Sequence, residues 1–223
     1  MAARMPDLAN IPYRGWLLIV FLIALVVGCI KPHNPQDLVL EHLLTVAFAG
    51  IMAWHGWPKK RALSNVAYTG IFVFMLLHVL GANYTYSLVP YDRWSASLFG
   101  TSVSDLFGWP PGEDGRPRNH YDRLVHFSFG SLMLPAAVEI GRRHACLTGA
   151  WAYMYAACVL NVGSTGYELL EWLLTLVAAP EQAETYNGQQ GDVWDAHKDV
   201  GLSALGSASG VVVMAIVGRK KSG

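Results

Sequence analysis

An all-α, polytopic transmembrane helical bundle of about six spans is the fold this sequence predicts, and three observations predict it. The 223 residues are 53% hydrophobic and only 14% charged, whereas soluble domains carry about a quarter charged residues. Several apolar runs approach the roughly 20 residues that a helix needs to cross the hydrocarbon core. Basic clusters recur at alternate connections, so a six-span chain places them all on one side. Lys+Arg and Asp+Glu balance at 16 each, which leaves no global field for nucleic acid, and no basic patch is interleaved with aromatics. The cysteines, Cys29, Cys146 and Cys158, show no metal-type or disulfide-framework spacing. Cys29 and Cys146 fall at opposite faces of the predicted bundle, and buried, inert thiols are expected.

The spans follow in order. The first, about 15–31, comes after Arg4 and Arg14 and ends in Val26-Val27-Gly28-Cys29, a loose mimic of a lipoprotein cleavage site. Its length and the further spans behind it favour a retained membrane helix. The second and third, 38–57 and 63–81, flank Lys59-Lys60-Arg61. The fourth and fifth, 121–140 and 146–178, flank Arg142-Arg143-His144, and the sixth, 199–218, precedes Arg219-Lys220-Lys221. The positive-inside rule makes that side cytoplasmic, both termini included. The chain 1–223 reads as a single integral membrane domain. The fifth segment is too long for one straight crossing, so a break near Asn161–Gly166 or a strong tilt is expected.

The outer side receives a short turn (Lys31–Asp37), a long connection (82–120) and the acidic stretch 180–198. Rings crowd the long connection, among them Tyr84, Tyr86, Tyr91, Trp94, Phe99, Phe107 and Trp109; such rings favour the headgroup region. There "RWSASLFGTSVSDLFGW" reads as a short interfacial helix, and "GWPPGEDGRPRN" as turn-rich and flexible.

Polar residues concentrate at the outer helix ends. In "GDVWDAHKDV", a last helix beginning near Gly191 would put Asp192, Asp195 and Asp199 on one stripe, which continues through Ser203, Gly206 and Gly210. Small residues in that pattern let another helix approach, so the stripe is predicted to face the bundle. His197 and Lys198 lie off it. "NHYDRLVHF" sets Asp122 and His126 at i, i+4, and "YELLEW" sets Glu168 and Glu171 at i, i+3. Ionisable groups at such depth are expensive and mark candidate sites. Carboxylates with an imidazole suit a divalent metal such as Mg, Mn or Zn. On that reading His126, Asp195 and Asp199 are the candidate ligands, and Asp122, Glu168, Glu171 and Asp192 the candidate catalytic acids and bases. The competing reading is structural: Arg118, Arg123 and Lys198 neutralise the acids in a salt-bridge network, and His126 is a satisfied core histidine. His42, His55 and His78 read as helix-packing hydrogen-bonders, and Glu41 with His42 as a local pair.

"HVLGANYTYSLVP", "RNHYDRLVHFSFG", "YELLEW" and "GQQGDVWDAHKDV" together resemble the YjdF-like bacterial inner-membrane proteins, a family of unknown function, from the third span onward. The resemblance implies a multi-pass protein of the bacterial inner membrane whose hallmark residues are Tyr84, Tyr86, Pro90, Asn119, Asp122, Arg123, His126, Glu168, Glu171, Gly191, Asp192, Trp194, Asp195 and Asp199. The family pattern has Gln where this chain has His197, which argues against His197 as a ligand. A more distant likeness is to VanZ-like membrane proteins, which share the order of an Asp-x-x-x-His helix start, a later Glu and an Asp before a glycine-rich last helix. Two functions compete with a purely structural scaffold. One is a metal-assisted enzyme at the outer face acting on a lipid-linked or cell-envelope substrate. The other is a small cation- or proton-coupled transporter, for which a homo-oligomer would compensate the small span count. The lipid bilayer is the expected partner; nucleic acid is not.

Overall fold

A computed structural model describes residues 11–56, 62–109, 118–177 and 189–220. Lys59-Lys60-Arg61, most of "GWPPGEDGRPRN" and the acids of 181–184 lie outside these residues. Among the described residues the chain forms eight helices: α1 (Tyr13–Gly28), α2 (Pro35–Gly56), α3 (Asn65–Asn83), α4 (Tyr91–Phe99), α5 (Val103–Phe107), α6 (Tyr121–His144), α7 (Gly149–Val177) and α8 (Asp195–Lys220). Helices α2, α3, α6 and α8 are long and apolar enough to cross a bilayer, and α1 is a shorter apolar helix. The all-α membrane architecture expected from composition is what the chain adopts.

The outside of the bundle carries large apolar side chains, including Val39, Leu43, Trp54, Val162, Leu205 and Ile216. The centre holds Ala67, Leu134, Val138, Ala152 and Ala156 instead. This distribution suits a lipid solvent, in which close packing between helices matters more than hiding apolar surface. Helix α6 is the hub, packed by α3, α7 and α8. Its seam with α8 is the stripe predicted from sequence. A Cβ at Gly206 would stand 2.1 Å from the Phe127 carbonyl oxygen, and one at Gly130 would stand 2.0 Å from that of Ser203. Only hydrogen fits at either position, so the two backbones can touch. Ser203 and Ser207 are buried in the same seam.

Several expectations are corrected. Of the two expectations for the fifth segment, a break or a strong tilt, the break is excluded, because helix α7 runs unbroken through Asn161–Gly166. In hydrocarbon a broken helix strands its backbone polar groups, so glycines there are kept within the helical ladder. Its 29 residues span about 43 Å, longer than the hydrocarbon core. Helix α8 starts at Asp195 rather than Gly191, because Gly191 takes the left-handed conformation (φ +82°) in a turn. The single interfacial helix is two, α4 and α5, separated at Gly100, which has φ +79°. All three cysteines are free and exposed rather than buried; a lipid-facing surface is apolar, so nothing drives a thiol inward. Glu41 pairs with Tyr167, not with His42. Both ring nitrogens of His42 are buried without a hydrogen bond, whereas His78 bonds Thr45 and Tyr86 as expected. The side chain of His55 lies outside the described residues.

Candidate functional site: two acidic groups at one end of the bundle

The starts of α6 and α8 meet through their lead-in segments. Asn119 and Gln190 exchange two hydrogen bonds, from the Asn119 N–H to Oε1 at 2.9 Å and from Nε2 to the Asn119 carbonyl at 3.0 Å. Arg118 Nη1 donates to the Gln189 carbonyl at 2.6 Å, and Asn119 Nδ2 donates to the Val89 carbonyl at 2.9 Å. This stitching, with the seam of small residues below it, fixes where the acids of α8 stand relative to α6.

The rim of this end is an ion-pair network. Arg118 Nη2 bonds Asp195 Oδ1. Arg123 Nη2 reaches Asp192 Oδ2 at 2.6 Å and Asp195 Oδ1 at 3.3 Å. Lys198 Nζ bonds Asp192 Oδ2 as well. The ammonium of Lys198 dominates burial and holds Asp192 down at about 2. His120, which caps this layer, accepts from Arg123 Nη1 at Nδ1 (3.2 Å) and rests against the Trp109 ring, centroids 4.3 Å apart. Burial first, then the guanidiniums of Arg123 and Arg118, push its imidazole down to about 4. It is therefore neutral at neutral pH.

One turn deeper the chemistry changes. Asp122, His126 and Asp199 each offer a ligand atom within 4.8 Å of the other two. His126 Nε2 lies 3.6 Å from Asp122 Oδ1 and 3.2 Å from Glu168 Oε1. Its Nδ1 is 3.4 Å from Ser164 Oγ. Asp199 is 2% exposed, and its Oδ1 is buried without a hydrogen-bond partner; Glu168 Oε1, close to His126 but not aligned with it, is in the same position. A cleft of about 830 Å³ opens onto this group, lined by Asp122, Glu168, Glu171 and Asp199 with Trp172 and Val193. A second cavity of about 180 Å³ lies beyond, and Asp122 lines both.

The sequence-derived candidates thus separate. Asp122, His126 and Asp199 come together, with Glu168 beside them and Glu171 in the cleft wall. Asp192 and Asp195 are turned to the cations, because α8 begins after Asp192 and because Arg118 and Arg123 both reach toward the first turn. His197 is exposed and stacks edge-on against Trp194. Sequence reasoning missed Ser164 and Ser207, and it missed the link from Glu41 to Tyr167. Only the presence of Glu41 inside an apolar run pointed to it.

Comparison with known proteins covers both polar groups. The sequence profile of a family described as "Predicted membrane protein (DUF2238)" matches residues 13–220. The inner membrane protein YjdF of Escherichia coli (strain K12) is 30% identical over 183 residues, which make up 82% of this chain and 75% of that protein. No solved structure matches. With helices fit for a bilayer, a profile match from α1 to α8 and an inner-membrane relative, the chain is a multi-pass inner-membrane protein and belongs to the DUF2238 family of predicted membrane proteins.

Proposed function

We propose that Asp122, His126 and Asp199 hold a divalent cation, and that the protein uses it in chemistry on a lipid-linked or cell-envelope substrate. The carrying observation is the pairing of three convergent donors with a buried, partnerless oxygen on Asp199. Among the described residues, the lysine and arginine ion pairs at this end go to Asp192 and Asp195. The deeper carboxylates therefore need positive charge from elsewhere. An imidazole and two carboxylates suit Mg, Mn or Zn, and small side-chain adjustments bring donors at these separations to coordination distance. Bound there, such an ion would polarise a phosphoryl or acyl oxygen and activate an attacking water.

The chain's own groups have distinct parts in this reading. Asp195, clamped by two guanidiniums, fixes the first turn of α8 and so aims Asp199. Glu168 stands where it can take a proton from a reacting group in the cleft, and Glu171 supports it from the next turn. The basic last turn of α6, Arg142 to His144, lies at the opposite end from Asp122, which favours the outer face for the site. Metal analysis of the detergent-purified chain tests the reading. Stoichiometric Mg, Mn or Zn in the wild type, lost in Asp199→Asn and His126→Ala, supports it. Variants and wild type that fold alike without metal leave a structural scaffold. The second cavity favours a further reading, cation passage through the bundle, and uptake into proteoliposomes separates that from catalysis.

A further inference from the structure

Helix α2 buries an acid that the reading above does not use. Glu41 is 4% exposed, and Asp37, one turn earlier, is 5% exposed. Tyr167 donates a hydrogen bond to Glu41 Oε2 at 2.9 Å. The titratable groups around it are Asp37 and His42 on α2, His78 on α3, Tyr86 after it, Asp122 on α6, and Tyr167 and Glu171 on α7. Among the described residues, these groups include no lysine or arginine. His78 makes no bond to the Glu41 carboxylate. The Thr45 hydroxyl donates to the Glu41 carbonyl at 2.9 Å, so it accepts from His78 Nε2 at 2.5 Å. Nδ1 is engaged by the Tyr86 hydroxyl at 2.5 Å. Both ring nitrogens are thus engaged away from the Glu41 carboxylate.

A lone carboxylate this deep would be a buried charge without a cation, and removing that penalty requires positive charge from solution. The route is present. The cavity of about 180 Å³ is lined by Thr45, His78, Tyr86, Asp122, His126 and Tyr167. Most of its surface is apolar, but these six side chains offer the polar partners that ordered water needs, and the space runs between Tyr167 and Asp122, which opens on the larger cleft.

We infer that Glu41 is a proton-binding site that exchanges its proton with the Asp122 end of the bundle through the Tyr167 hydroxyl and the water of this cavity. The Tyr167 hydroxyl turns from the Glu41 oxygen toward the cavity water, and the carboxylic proton passes to its oxygen as the tyrosine's own proton passes to water. The hydroxyl is regenerated, and Glu41 is left as a carboxylate. This goes beyond the cation reading and does not depend on it.

Infrared spectroscopy of the detergent-purified chain, with no divalent ion added, tests the assignment. At neutral pH the wild type should show a protonated-carboxyl carbonyl band that Glu41→Gln removes. In Tyr167→Phe the band should persist, shifted by the lost hydrogen bond, and its proton should exchange for deuterium at least about tenfold more slowly. The Tyr167→Phe shift assigns the band to Glu41 even where Glu41→Gln fails to fold. An unchanged band in Glu41→Gln, or no shift in Tyr167→Phe, overturns the proton site. An unchanged exchange rate in Tyr167→Phe overturns the route. Metal content measured on the same preparations decides the cation reading separately.

Discussion

Asp195 and Asp199 are one helical turn apart on the same face of α8, yet their surroundings are opposite. Asp195 belongs to a rim where Arg118, Arg123 and Lys198 meet Asp192 and Asp195. Asp199 belongs to an interior where Asp122, Glu168 and His126 offer it no permanent cation. The rim resolves its own charges, so its plain role is to hold the starts of α6 and α8 together. The interior leaves carboxylate oxygens unmatched, and unmatched buried charge persists only where something else binds. About 5.4 Å of helix separates a structural network from a candidate centre.

The largest effect should come from breaking the rim. Asp195→Ala leaves two partly buried guanidiniums without their shared partner and should cost about 3 kcal/mol. Thermal or denaturant unfolding in detergent would measure it; a change within error would show that the rim does not hold the helices. Next comes the interior, where the sign reverses. Asp199→Asn should keep or raise stability, because a buried acid becomes a neutral amide, while divalent-cation affinity falls about 100-fold or more, beyond the effect of removing an outer partner. Calorimetry and unfolding on one preparation give both numbers. Loss of stability with no loss of affinity would erase the distinction between the two groups.

A pH experiment probes the rim more gently. His120 sits at about 4, below its ordinary 6.5, so the unfolded chain binds the proton first. Its contribution is fully present above pH 6.5 and is lost as pH falls through about 4. The unfolding temperature should therefore drop across that window, and less so in His120→Phe. The Asp192 contribution is present above the ordinary value of 3.8 and is lost only as pH falls through about 2, so the two do not overlap. The smallest effect belongs to Lys198→Ala. Lys198 is 49% exposed, and its loss should cost no more than about 1 kcal/mol, and less at high salt. A larger cost would mean that Lys198 anchors Asp192 more firmly than either arginine does.

The helical class, four helices of membrane-crossing length and the local pairs were legible in the residues alone. Asp122 with His126 follows from a four-residue spacing, and Asp195, Asp199, Ser203, Gly206 and Gly210 follow from the same periodicity. These are properties of one helix at a time, and an apolar solvent makes helices obligatory. Tertiary structure decided what crosses between helices. It began α8 after a left-handed Gly191, which removed Asp192 from the stripe. It kept α7 whole, and so brought Glu168 to His126 and Tyr167 to Glu41. It also assigned Arg118 and Arg123 to the rim rather than the interior. Which acid receives a cation depends on distances between residues some 70 positions apart, and helical periodicity carries no information about those.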